Sequence, residues 1–270
     1  MNNIFRACVA LLAVTTSLAA GAHEFWLHAQ PFAPPAGGSA RLTLWVGENF
    51  AGDQVAFSSE HTAALRRYTK ESSEDLLERT RLTKARADIH LEVAKAGTHL
   101  LAFDSRPALI TLSADKFHAY LHDEGLDAIA RQREAAGNAA LPGRERFRRC
   151  VKSLLRVGGQ SDATYAVRTG QRLEIVPLND PLAGKPGAQL DFALVFDKQP
   201  IAGRLVKAWN KRNGQTVIIR ATTDKNGRVS FNLPYAGVWM ISVVHMIPAV
   251  DTSDADWDSF WGNLTFEVAA

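Results

Sequence analysis

Residues 217–245, VIIRATTDKNGRVSFNLPYAGVWMISVVH, decide the fold. Val217–Ala221, Val229–Leu233 and Val238–His245 are short runs rich in β-branched and aromatic residues. Asp224-Lys225-Asn226-Gly227 separates the first two and supplies a glycine for positive φ, as a tight turn requires. Outward from there, Leu173–Pro177, Leu190–Phe196, Arg204–Trp209 and Leu264–Val268 have the same character. About seven short strands with turn signals roughly every 8–12 residues predict an immunoglobulin-like or transthyretin-like β-sandwich.

The preceding half of the chain is also β-rich. Arg41–Val46 and Ile89–Val93 alternate apolar with polar residues, and Ala96-Gly97 turns the chain into Thr98–Phe103. Ala108–Leu112 is a further short strand. Ser113 stands as an N-cap before Phe117, Tyr120 and Leu121, and Leu126, Ile129 and Ala130 continue that helical stripe beyond Gly125, which breaks or kinks it. Residues 60–87 read as exposed connections and short strands, and Arg144–Val157 is ambiguous between strand and helix. Polar Gly158–Gly170 marks a boundary. The expectation is a mainly β chain of two sandwich domains, residues 23–165 with a helical insertion near 114–136, and residues 166–270.

Residues 1–22, MNNIFRACVALLAVTTSLAAGA, read as a secretory signal peptide. Arg6 is the positive end, Cys8–Ala20 the apolar stretch, and Ala20-Gly21-Ala22 the small-residue cleavage site. The apolar run is short for a membrane span and no later stretch approaches that length, so a soluble periplasmic protein is expected. Removal of the signal leaves one cysteine, Cys150, which excludes an internal disulfide and reads as a small buried side chain. A formal net charge of +3 gives no footprint for nucleic acid.

The chain has no G-x-S-x-G elbow, Walker loop or H-E-x-x-H motif, which leaves a hydrolase without support. The histidines carry the chemical interest. Cleavage after Ala22 makes His23 the first residue, and its free amine and Nδ1 then chelate one ion in a six-membered ring. His28 follows on the strand that alternating Phe25 and Leu27 predict. His245 ends the apolar strand 238–245, beside Met246. His118 and His122 share a helix face at i,i+4 spacing, next to Asp123 and Glu124, which read as a solvated surface. Asp251–Trp261 is an acidic, aromatic loop or lid. Imidazole and amine suit nickel, cobalt and copper, and such a site weakens below about pH 6.5 as its ligands protonate.

Several stretches resemble one exported bacterial family of unknown function, linked to nickel and cobalt uptake as the NikM-like (NikK) periplasmic component. They are Ala22-His23-Glu24-Phe25-Trp26-Leu27, Val46-Gly47-Glu48-Asn49-Phe50-Ala51-Gly52, Lys116-Phe117-x-x-Tyr120-Leu121-x-x-Glu124-Gly125-Leu126 and Arg144-Glu145-Arg146-Phe147. Leu173–Leu178, Thr223-Asp224-x-x-Gly227-Arg228-Val229, Val244-His245-Met246 and Asp256-Trp257-x-Ser259-Phe260-Trp261 complete the match. The resemblance implies a two-part β-rich periplasmic protein that delivers a divalent metal to an inner-membrane transporter. The amino-terminal histidine also resembles the histidine brace of CopC-type copper carriers and copper monooxygenases. By that analogy His23 gives two nitrogens and His245 or His28 the third. The expected function is metal binding for uptake or homeostasis, without bond-making chemistry. The rival classes are a histidine-brace copper oxidase and a non-catalytic adhesion or carbohydrate-binding sandwich.

Overall fold

A computed structural model describes residues 23–80 and 84–270. The signal peptide expected over residues 1–22 lies outside them. The chain is mainly β, as its patterning predicts. Its first part contains β1 (Glu24–Gln30), β2 (Gly38–Glu48), β3 (Ala51–Val55), β4 (Thr62–Tyr68), β5 (Ser73–Asp75), a short helix α1 (Leu76–Thr80), β6 (Asp88–Val93), β7 (Gly97–Ser105) and β8 (Ala108–Leu112). Helices α2 (Ala114–Asp123) and α3 (Asp127–Ala135) follow, then the long β9 (Gly143–Val157). The remainder is β10 (Leu173–Pro177), β11 (Gln189–Phe196), β12 (Gln199–Pro200), β13 (Leu205–Arg212), β14 (Gln215–Thr222), β15 (Arg228–Asn232), β16 (Gly237–Pro248) and β17 (Trp257–Val268).

A nine-stranded sheet runs β14-β13-β16-β17-β9-β7-β4-β5, with β8 also on β9. Its centre is the parallel pair β9–β17, in which Trp257 is level with Glu145 and Trp261 with Arg149. The boundary expected near residue 165 falls between β9 and β10, and strands from both sides of it pair in this one sheet. Two four-stranded sheets complete the fold, one of β1, β2, β3 and β6, the other of β10, β11, β12 and β15.

Alternate residues of the large sheet serve different cores. Cys150, Leu154, Phe260 and Leu264 pack with Ile175, Phe192 and Phe231 of the second small sheet. Val151, Leu155, Leu101 and Phe103 pack with Leu27, Leu42 and Leu91 of the first. Trp261 joins Phe117, Tyr120 and Leu121 of α2. Burial on both faces explains why residues 144–157 are ambiguous as a sequence. A strand covered on both sides loses the alternation of apolar and polar residues, and every residue from Cys150 to Leu155 is buried, Lys152 and Ser153 included. The same reason corrects the second half of the loop expected over 251–261: residues 251–256 are irregular, but Trp257 onward is strand and every residue from Trp257 to Phe266 is buried. The acidic residues here pair with the basic start of β9. Arg144 holds Asp256 through a bond of 2.6 Å, and Arg146 and Arg148 reach Asp258 at 3.4 and 3.3 Å.

The helical insertion breaks at Gly125, which takes φ +65°. Ser113 starts α2, but its hydroxyl makes no capping bond, and its carbonyl accepts the Phe117 N–H at 2.8 Å.

One edge of β1 pairs with β2, and among the described residues the other carries no strand. Its outward carbonyls are satisfied by side chains of the large sheet. Arg149 donates to the His23 carbonyl at 3.0 Å, Asn263 donates to that of Phe25, and the Thr265 hydroxyl donates to that of Leu27 at 2.6 Å. A buried carbonyl that loses its donor costs about 1–3 kcal/mol. Thr265→Val keeps the shape and removes the donor, so its unfolding free energy should fall by about that amount. Thr265→Ser should retain most of the stability. Equal denaturation midpoints for the valine variant and the parent would show that the bond carries no weight.

Candidate functional site

His23 directly precedes β1, and its half-exposed ring lies with Nε2 3.6 Å from the Glu48 carboxylate. Glu48 is there because β1 and β2 run antiparallel with Glu24 level with Gly47. The ring borders a hollow of about 210 Å³ lined also by Val46, Tyr120, Glu145, Arg149 and Trp261.

The floor of this hollow is a buried ionic and aromatic cluster. Glu145 is 2% exposed and accepts bonds from the Ser259 hydroxyl, the Tyr120 hydroxyl at 3.3 Å and the Trp261 indole at 3.5 Å. Burial raises its pKa, and the Ser259 and Trp261 donors oppose the rise. The rings of Tyr120 and Trp261 stack 5.5 Å apart. The Arg149 guanidinium lies 4.5 Å from the Trp261 ring centre and 5.1 Å from that of Phe147. Burial pushes this arginine down to about 10, although Glu145, Tyr120 and Glu24 pull the other way. Beside it Lys207 holds Glu124 at 2.8 Å, both side chains buried. Glu24 is pushed up to about 7, first by burial and then by Glu124.

The three histidines expected to share a metal are not brought together. His28 lies on β1 level with Thr43, its ring edge-on to Phe32 at 5.0 Å. Five residues of extended chain separate it from His23 by about 16 Å, and odd spacing puts the two on opposite strand faces. Burial, then Arg41, holds its pKa below the ordinary value.

His245 is 6% exposed and level with Phe260, its ring 4.4 Å from that of Phe196. Phe260 faces Phe196, whereas its neighbour Trp261 faces Tyr120 and Arg149. The large sheet therefore stands between His245 and His23. Among the described residues, no group of three or more His, Cys, Asp or Glu side chains is placed to hold a metal ion. His118 and His122 are exposed, and His122 Nδ1 is 3.2 Å from Asp127. The solvated surface expected at Glu124 is corrected, since its side chain is 7% exposed and paired with Lys207.

Sequence reasoning missed Glu145, Arg149 and Tyr120. One signal was present. Read as a strand, RERFRR alternates, with Arg144, Arg146 and Arg148 on one face and Glu145, Phe147 and Arg149 on the other.

Fold and site together define a mainly β protein with a half-exposed histidine above a buried charged cluster. The chain belongs to the family DUF4198, described as a domain of unknown function, whose model matches residues 20–247. No curated protein matches it. Solved structures with some similarity include three N-terminal domains of the bacteriophage RB49 Highly Immunogenic Outer Capsid protein, at 8% identity and a TM-score of 0.22, over 92% of this chain and 71% of that one. A Salmonella alpha-2-macroglobulin mutant is similar at 12% identity and a TM-score of 0.23, over 92% of this chain and 16% of that one. Escherichia coli alpha-2-macroglobulin activated by porcine elastase gives 13% identity and a TM-score of 0.22, over 92% and 23%.

His245 is pushed down to about 4, first by burial and then by Arg204, and its Nδ1 has no hydrogen-bond partner among the described residues. Unfolding restores a pKa near 6.5, so between about pH 6.5 and 4 the unfolded chain binds the extra proton. Stability is therefore lost as pH falls through that window, by up to about 1.4 kcal/mol per pH unit. Glu24 acts with the opposite sign, because its raised pKa costs stability as pH rises from about 4.5 to 7. Denaturation of the parent and of His245→Phe at pH 7.5 and 5 isolates the first effect. The variant should lose less stability on acidification, and identical losses would contradict it.

Proposed function

We propose that the protein binds a divalent late first-row metal, nickel, cobalt or copper, in the periplasm, and passes it to an inner-membrane transporter for uptake or homeostasis. The reading rests on cleavage after Ala22, which gives His23 a free amine. The observation that carries it is the position of Glu48 on the Nε2 side of the His23 ring. A carboxylate there leaves the Nδ1 side for the chelate with the amine. Metal-bound imidazoles commonly turn their other nitrogen to a carboxylate, which fixes the ring and strengthens it as a ligand.

Two further features support the reading. The bond from Arg149 to the His23 carbonyl and the pairing of β1 hold the main chain at this point. An amine on an anchored strand gives a defined chelate, where a frayed terminus gives none. The His23 side chain is also 36% exposed, so an ion bound by amine and ring keeps open coordination positions toward solvent. That suits exchange with a transporter better than permanent retention. His28 and His245 lie outside this ligand set.

Calorimetric titration of chain beginning at His23 with Ni(II), Co(II) and Cu(II) tests the proposal. At least one ion should bind with one-to-one stoichiometry. An added Met before His23, or His23→Ala, should weaken binding at least tenfold, and Glu48→Gln should weaken it about tenfold. His28→Ala and His245→Phe should leave it unchanged. Indifference to the added Met would remove the terminal chelate.

A further inference from the structure

Arg149 is shared by two cavities. One is the hollow under His23. The other is a cleft of about 560 Å³ that opens between the first small sheet and strands β4, β7 and β9 of the large one. Phe25, Leu44, Val46, Phe103 and Phe147 give it apolar walls, and Arg149 lies among them. The volume is in the range of small-molecule sites, and apolar walls with a few polar and charged groups are their usual composition, here Arg149 among the walls and the exposed Glu60, His61 and Arg106 around it.

The guanidinium has five N–H donors in a planar fork. Among the described residues its side chain makes one hydrogen bond, to the His23 carbonyl. Glu145, Glu24 and Glu124 act on it through their charge, but none of them accepts a bond from it. The rings of Trp261, Phe147 and Phe25 are centred 4.5, 5.1 and 5.7 Å from its guanidinium carbon, contacts that supply no acceptor oxygen to its N–H groups. Arg149 is half-buried, and the donors it leaves unpaired open to the cavities, where an acceptor can reach them. The backbone at this position is fixed, because the Arg149 N–H donates to the Ser105 hydroxyl at 2.9 Å.

We propose that the cleft binds a small amphipathic monocarboxylate, whose carboxylate pairs with Arg149 and whose apolar body lies among Phe25, Leu44, Val46, Phe103 and Phe147. The fork matches the two oxygens of a carboxylate. Glu24, Glu124 and Glu145 nearby disfavour a dianion such as a phosphate monoester. The apolar walls disfavour small hydrophilic acids, which bury nothing against them. The His23 ring borders only the other cavity, so the metal chelate and this cleft share no ligand atom, although Arg149 also holds the His23 carbonyl.

The test is calorimetric titration of the protein with the straight-chain carboxylates from butanoate to dodecanoate, and with 1-octanol. At least one carboxylate of medium length should bind one per chain, and octanoate at least tenfold tighter than octanol. Ala108→Trp, which fills the cleft from β8, should weaken octanoate at least tenfold. Arg149→Met should bring octanoate to the level of octanol, and His23→Ala should change nothing. If Arg149→Met does not fold, the octanoate–octanol difference carries the charge claim and Ala108→Trp the location. No binding by any carboxylate, octanol as tight as octanoate, or indifference to Ala108→Trp would each overturn the proposal.

Discussion

The structure depends on how the free edge of its first strand is satisfied. An unpaired sheet edge is a row of open donors and acceptors, and chains usually cover it with a helix, a bulge or charge. Here the large sheet turns three side chains onto that edge, one from β9 and two from β17. Arg149, Asn263 and Thr265 meet the carbonyls of His23, Phe25 and Leu27, spaced by two as outward carbonyls on a strand must be. The Thr265 hydroxyl also lies 3.0 Å from that of Ser153, so the contact is tied to the β9–β17 pair itself. This stitching fixes the height and angle of β1 over the large sheet. It sets where His23 stands and leaves a cleft, lined by Phe25 and Phe103, on one side of Arg149.

Arg149 therefore has two structural duties and a surplus. Its N–H fixes it to β7 and one guanidinium bond fixes it to β1, while Glu145 beneath it is satisfied by Ser259, Tyr120 and Trp261 instead. Had the aim been only to neutralise Glu145, a direct bidentate pair would be the stronger arrangement. Separating the two leaves the carboxylate satisfied by neutral donors and the cation open to the cavities. The Lys207–Glu124 pair, also buried but directly bonded at 2.8 Å, shows the closed alternative in the same cluster.

The strand content and the helical pair were legible because their periodicities are local. Residues 228–232 and 88–93 alternate in and out as their sequence does, since one face of each is exposed. The centre of the fold was not legible. Strands β9 and β17 are covered on both faces, so apolar pattern carries no phase there. Their pairing joins Arg149 to Trp261, 112 positions along the chain, and no local signal reports a contact of that range. Glu124 misleads for a similar reason. Beside Asp123 at a helix end it reads as surface, and only the distant Lys207 makes its burial tolerable.

The separation of His23 from His245 follows from strand parity. Along β16, Val244 and Met246 join the core of Trp261 and the helices, and His245 between them takes the opposite face with Phe196 and Phe260. A slip of one residue would carry His245 to the side of His23, but it would also turn Ile241 and Val243 away from the core they share with Phe192 and Leu264. Several large apolar side chains therefore fix the register against a single histidine. His245 is held neutral in an aromatic setting by the same packing that keeps it from the other ring, and a ligand set drawn from sequence alone has no access to that constraint.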